Sequence, residues 1–119
     1  PHGIGFATAT ALAAGGATVV LTSTTQRVHE RVAELVAAGH RATGVVRDLM
    51  RPGAAAELVA AAVAAGDGRL DICVNNAGMI AVGGAPTEAT LEDTTDAQWH
   101  DGLDRNLTTC FAVTRAAAP

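Results

Sequence analysis

Asn75-Asn76-Ala77-Gly78 sets two carboxamides, a methyl group and a bare backbone directly after an apolar run, Leu70-Asp71-Ile72-Cys73-Val74. The run reads as a buried strand, and carboxamides at its end must be hydrogen-bonded or they destabilise the core. In an open α/β sheet the carboxyl end of a strand is also where ligands bind. The plainer alternative is a strand-to-loop turn in which Asn and Gly supply the turn chemistry. Near the other end, Gly3-Ile4-Gly5 opens a helical stretch. A helix start offers unpaired N–H groups and a positive dipole end, and glycines there let a phosphate approach the backbone. The plainer alternative is a flexible chain end.

Three further places carry chemistry. Ser23-Thr24-Thr25-Gln26-Arg27 follows a β-branched strand, where dinucleotide-binding folds read the ribose 2′ position. No carboxylate stands there to bond two ribose hydroxyls, whereas Ser23, Thr24 and Arg27 suit a 2′-phosphate. A Thr-rich turn ahead of a helix is the competing explanation. Asp48-Leu49 follows the next strand; the carboxylate suits an adenine amino group, or caps a turn. Asn106 lies inside a helix, where Asn is a poor interior residue, seven positions after Trp99 and so on its face. It is a site residue, a local bend or a packing device.

These positions need a scaffold, and the composition allows one. The chain has 119 residues, 49% hydrophobic and 17% charged, with net charge −4, enough for one domain or a piece of one. Aromatics are only 3%, so Ala, Val, Leu and Ile must build the core. The mild acidity argues against nucleic acid as a partner. No apolar stretch is long enough to span a bilayer, and no secretory leader is seen. Cys73 and Cys110 lack metal-ligand spacing and are expected to be small buried hydrophobes, in keeping with a reducing cytoplasm. All eight basic residues are Arg; there is no Tyr, no Lys, and a single Ser, Ser23.

The periodicities predict helix over Gly3–Ala14, strand over Thr18–Thr22, helix over Gln26–Ala38, strand over Ala42–Val46, helix over Pro52–Ala65 and strand over Leu70–Asn75. Val28, Val32, Leu35 and Val36 form one apolar face of the second helix. A long loop, Gly78–Thr95, precedes a helix over Asp96–Ala118, opened by the capping-box spacing Thr95-Asp96-Ala97-Gln98. Its buried face is expected to comprise Trp99, Leu103, Leu107, Cys110, Val113 and Thr114. Alternating strands and helices imply an α/β fold with a parallel sheet.

Together the motifs resemble the short-chain dehydrogenase/reductase family. Gly3-Ile4-Gly5 is similar to the end of its Thr-Gly-x-x-x-Gly-Ile-Gly cofactor loop, Asp48-Leu49 to its adenine-site pair, Asn75-Asn76-Ala77-Gly78 to its hallmark motif, and Trp99 with Asn106-Leu107 to its Trp…Asn-Leu helix. Within the family the nearest likeness is to 3-oxoacyl-carrier-protein reductases. The resemblance implies a partial Rossmann-like, doubly wound parallel sheet over residues 1–119, a partial NAD(P)-binding domain truncated at both ends. It implies that Gly3, Ile4 and Gly5 lie against pyrophosphate and that Asp48 and Leu49 contact adenine. Asn76, Ala77 and Gly78 would line the ribose and nicotinamide, Asn75 would tie strands together, and Asn106 is the catalytic-helix residue whose carbonyl holds a relay water. Ser23 stands where NAD-selecting members carry Asp, and His2 where NADP-preferring members carry Arg or Lys, so NADP(H) is expected over NAD(H), with no metal. The implied reaction interconverts a ketone or 3-oxoacyl thioester and its alcohol in a homo-oligomeric parent.

Departures from the family pattern matter too. Its first strand and the Thr-Gly of its loop would precede Pro1. Its catalytic Ser and Tyr-x-x-x-Lys would follow Pro119, so the chain alone is expected to be inactive. Without a first strand, the strands at Thr18–Thr22 and Leu70–Asn75 are expected either to leave a gap or to collapse together, which would make the isolated chain marginal or aggregation-prone. The competing function is a non-catalytic nucleotide-binding or scaffold protein on the same fold.

Overall fold

The computed structural model describes residues 3–78 and 90–118. Helix α1 (Ile4–Ala14) is Ala-rich, and Gly15-Gly16 stops it, Gly16 taking the left-handed φ of 94° that an L-residue avoids. Strand β1 (Val19–Ser23) follows, then α2 (Arg27–Ala37) and strand β2 (Ala42–Val46). The strands pair in parallel from Val19 opposite Ala42 to Ser23 opposite Val46. A helix must carry the chain back between parallel strands, and α2 does so.

Its apolar face explains the packing. Val28 and Leu35 are 4% and 2% exposed, and Leu35 joins Ala9 and Ala13 of α1 in the core cluster, against Val19, Leu21 and Ala42 of the sheet. Gly44 in β2 lets α2 lie close. A Cβ there would stand 3.1 Å from both Val32 Cγ2 and His29 Nδ1. Val36, expected on the buried face, is 53% exposed, because the helix meets the sheet over a narrower arc than its apolar residues span.

Helix α3 (Ala54–Ala65) leans on both strands and on a later helix, with Ala54 fully buried. A 3₁₀ turn (Leu91–Asp93) leads to α4 (Asp96–Leu103). The expected capping box is present: Gln98 N–H donates to Thr95 Oγ1 at 3.2 Å and Thr95 N–H donates to Gln98 Oε1 at 2.8 Å. The helix then widens into a π-turn (Asp104–Thr108) before α5 (Thr109–Ala117), which packs against α3.

Trp99 and Leu107, expected on the buried face, are 58% and 62% exposed, because among the described elements α4 and the π-turn pack only on each other and on α5; Val113 of α5, which packs on α3, is buried as expected, together with Thr109.

Leu70–Asn75 also departs from expectation: it is not a strand. It makes no ladder bonds; Ile72 and Val74 are about half exposed, and Cys73, expected to be buried, is exposed. β1 spends one edge on β2, and its other edge faces a cavity of about 790 Å³ instead of Leu70–Asn75. Val19–Ser23 line one side of that cavity and residues 70–72 and 74–77 the other, so the gap appears and the collapse does not. The expected loop falls largely on residues 79–89, which, with His2, lie outside the described residues. Among the described residues, no helix is long and apolar enough to cross a membrane.

Candidate functional site

The carboxyl end of β1, the start of α1 and the segment after Val74 converge at one end of the cavity. Gly3 is the extended N-cap of α1, with φ −65° and ψ 166°, and its carbonyl accepts from the N–H groups of Phe6 and Ala7 at 3.1 and 3.2 Å. No side chain caps this start, and a Cβ on Gly3 would meet nothing within 4 Å. Ile4 is 81% exposed. Within the first turn, Gly5 lies under the Asn76 carboxamide: a Cβ on Gly5 would fall 3.0 Å from Asn76 Cγ and closer still to Nδ2.

Ser23 closes β1, its carbonyl accepting from Arg47 N–H at 2.9 Å and its hydroxyl from Thr25 N–H at 3.3 Å. Thr24 is exposed, and Arg27 begins α2. Gly5, Ser23, Arg27, Leu49, Asn76 and Ala77 share the cavity wall; Gly3, Ile4, Thr24, Asp48, Gly78 and Asn106 do not. Thr22 and Thr25, not singled out from sequence, join that wall. After β2, Asp48 Oδ1 accepts from Met50 N–H at 3.0 Å, a local turn that occupies one carboxylate oxygen.

Three of the four motif residues meet three different elements. Asn75 Nδ2 donates to Thr114 Oγ1 at 3.0 Å, so it ties its segment to α5, not to a neighbouring strand. Asn76 abuts α1 through Gly5. Gly78 abuts the π-turn: a Cβ there would lie 2.8 Å from Asn106 Oδ1. Asn106 Nδ2 in turn donates to the Gly102 carbonyl at 3.0 Å. The wide turn takes the backbone around Asn106 out of the regular α-helical ladder, a feature often found at functional sites.

Sequence reasoning passed over Arg105. Its Nε donates to Asp101 Oδ2 at 2.7 Å, and this carboxylate, with a smaller contribution from Asp48, holds the guanidinium above its ordinary range. The signal was present as an Asp–Arg pair at i, i+4. Among the described residues no three metal-ligating side chains cluster.

A parallel βαβ pair, a glycine-opened helix and an amide-bearing segment at the carboxyl end of the sheet define a Rossmann-like α/β protein. A family model described as enoyl-(acyl carrier protein) reductase matches residues 1–119, and the chain belongs to the short-chain dehydrogenase/reductase family of oxidoreductases. An uncharacterized oxidoreductase of Mycobacterium tuberculosis is 42% identical over 119 residues, covering 99% of this chain and 43% of that protein. A 3-ketoacyl-ACP reductase from Sinorhizobium meliloti 1021 superposes with TM-score 0.86 at 34% identity, over 98% of this chain and 44% of its own. A metagenomic short-chain oxidoreductase in complex with NADP superposes with TM-score 0.83 at 36% identity, over 98% and 51%. The chain thus spans less than half the length of the curated relative it matches.

Proposed function

We propose that the protein containing this chain is an NADP(H)-dependent reductase that interconverts a ketone or 3-oxoacyl thioester and its alcohol. The observation that carries this reading is the convergence on residues 76–78: Gly5 at the start of α1 meets Asn76, and Gly78 meets Asn106 in the π-turn. A cofactor end and a reaction end would then share one short segment. The likeness to a ketoacyl reductase and to an NADP-bound oxidoreductase supports the substrate class and the cofactor.

The residues fit a dinucleotide. The uncapped start of α1, with an uncrowded Gly3 as its N-cap, would let a pyrophosphate approach the backbone N–H groups of Gly3, Ile4 and Gly5. Ser23, Thr24 and Arg27 would receive a 2′-phosphate at the end of β1, where no carboxylate repels it. Asp48, through the oxygen its turn leaves over, and Leu49 would flank adenine. Asn76, Ala77 and Gly78 would border the ribose and nicotinamide, and the Asn106 backbone carbonyl would hold a water of the proton relay. When bound, the nicotinamide supplies or takes hydride at C4.

The chain has no Tyr, no Lys and no Ser beyond Ser23, so it holds none of the groups that would deliver a proton at neutral pH in this family. Membership of the family supports a homo-oligomeric parent and a cytoplasmic setting.

Cofactor titrations test the reading. The full-length protein should bind NADPH at least about tenfold tighter than NADH, and Ser23→Asp should reverse the order by placing a carboxylate at the ribose. The 119-residue chain alone should oxidise no NADPH with any 3-oxoacyl thioester. Full-length protein that binds NADPH yet reduces no carbonyl would favour the non-catalytic alternative; no nicotinamide binding would end the reading.

A further inference from the structure

We propose, on the dinucleotide reading above, that Arg47 and Glu57 are positioning residues for the adenosine end of the cofactor site: their ion pair ties the end of β2 to α3 and so fixes the turn that carries Asp48 and Leu49. Arg47 stands at a junction. Its N–H donates to the Ser23 carbonyl at 2.9 Å, which carries the β1–β2 pairing one residue past the strand. Its Nε lies 2.9 Å from Glu57 Oε2, in the first turn of α3. Asp48 is the next residue along the chain.

Residues 48–53 join the two paired positions by a closed turn. Asp48 accepts twice, from Met50 N–H at 3.0 Å through Oδ1 and from Arg51 N–H at 3.1 Å through its carbonyl. The Arg51 carbonyl accepts from Ala54 N–H at 3.2 Å, and Gly53 enters the helix with a left-handed φ of 81°. These bonds are local. They give the turn its shape, but not its angle to the sheet. Fully buried Ala54 seats the start of α3, and the Arg47–Glu57 pair spans the turn from strand exit to helix.

Charge holds the pair more than a directed hydrogen bond does. Arg47 Nε is buried, yet its N–H does not line up with the carboxylate 2.9 Å away. Gln at position 57 keeps the size of the side chain and removes the attraction. The two side chains are 37% and 48% exposed, so water screens the pair and the effect is modest. The plainer role for Glu57 is a carboxylate at the positive end of the α3 dipole. In that role its loss would cost the same whether or not Arg47 is present.

A double-mutant cycle on cofactor affinity in the full-length protein separates the two roles. Glu57→Gln and Arg47→Met should each raise Kd for NADPH and for NADH about threefold, with the ratio of the two and kcat unchanged, because both dinucleotides carry the same adenine. Adenosine 2′,5′-bisphosphate, the adenosine half alone, should lose the same factor. The double variant should bind no more weakly than either single one. Losses that multiply in the double variant, an unchanged Kd for the bisphosphate, or a fall in kcat matching the rise in Kd overturns the proposal. Amide exchange without nucleotide keeps this outcome apart from failure of the cofactor reading. Glu57→Gln should speed exchange of the Met50, Arg51 and Ala54 N–H groups about threefold and leave that of Val19 N–H, inside the paired layer, unchanged. Unchanged exchange at those three amides overturns the tie even if NADPH binds; faster exchange in a protein that binds no NADPH upholds the tie and ends the dinucleotide reading, and with it the adenosine role.

Discussion

The β1–α2–β2 layer and the segment Leu70–Gly78 start from similar sequence material and end in opposite states. Both contain short runs of Val, Ile or Leu bounded by polar and glycine-rich stretches. In the first, Val19–Ser23 meets Ala42–Val46 along five residue pairs, and Leu35 is 2% exposed over them. In the second, Ile72 is 57% exposed, and side-chain contacts to α1, α5 and the π-turn hold the segment among the described residues. The difference is one of partners. β1 has β2 within one crossover, residues 24–41, whereas Leu70–Asn75 faces a cavity where a neighbouring strand would lie. An apolar run is permission to be a strand; the ladder makes it one.

The sharpest way to break this comparison is Leu35→Ala. It removes a side chain from the one well-packed cluster and should cost about 2–5 kcal/mol in urea unfolding, enough to leave the 119-residue chain largely unfolded. Retention of a cooperative transition would mean that the layer is not the centre of stability. Amide exchange gives the next contrast. Val19 and Arg47 N–H, bonded at 2.9 Å to the Arg41 and Ser23 carbonyls, should exchange at least about 100-fold more slowly than the amides of residues 71–74. Similar rates would show that the cavity edge is paired in solution. Thr95→Ala deletes one half of the capping box and should cost about 1 kcal/mol, read as lost helicity over Asp96–Leu103. The smallest change belongs to Ile72→Ala, within about 0.5 kcal/mol, because that side chain is already half in water. A loss comparable with that of Leu35→Ala would place residues 70–75 inside the core after all.

Much of the layer was legible because its signals are local. The apolar spacing of α2, the glycine stops after α1 and α2, and the Thr95–Gln98 box each act over one or two turns of chain, and the structure carries all of them. The expected positions of Val36, Trp99 and Leu107 were not met for a reason local pattern cannot contain: how wide an arc a neighbour covers, and which stretches of helix have a neighbour among the described elements. For the candidate site, the residue types and their order along the chain were readable. Their division was not: Ser23, Arg27, Leu49, Asn76 and Ala77 share the cavity wall, whereas Asp48 turns back on Met50 and Asn106 bonds within its own helix.

By itself, then, the sequence determined the α/β class, the helices and the two paired strands, and the ordered motifs that mark the family. Those depend on periods of 2 and 3.6, on caps and on residue chemistry, all carried by neighbours along the chain. Tertiary structure alone decided that Asn75 bonds to Thr114, and that Gly5 and Gly78 each lie beneath an amide. These depend on which distant groups come within a few ångströms, and no spacing along the chain encodes that distance.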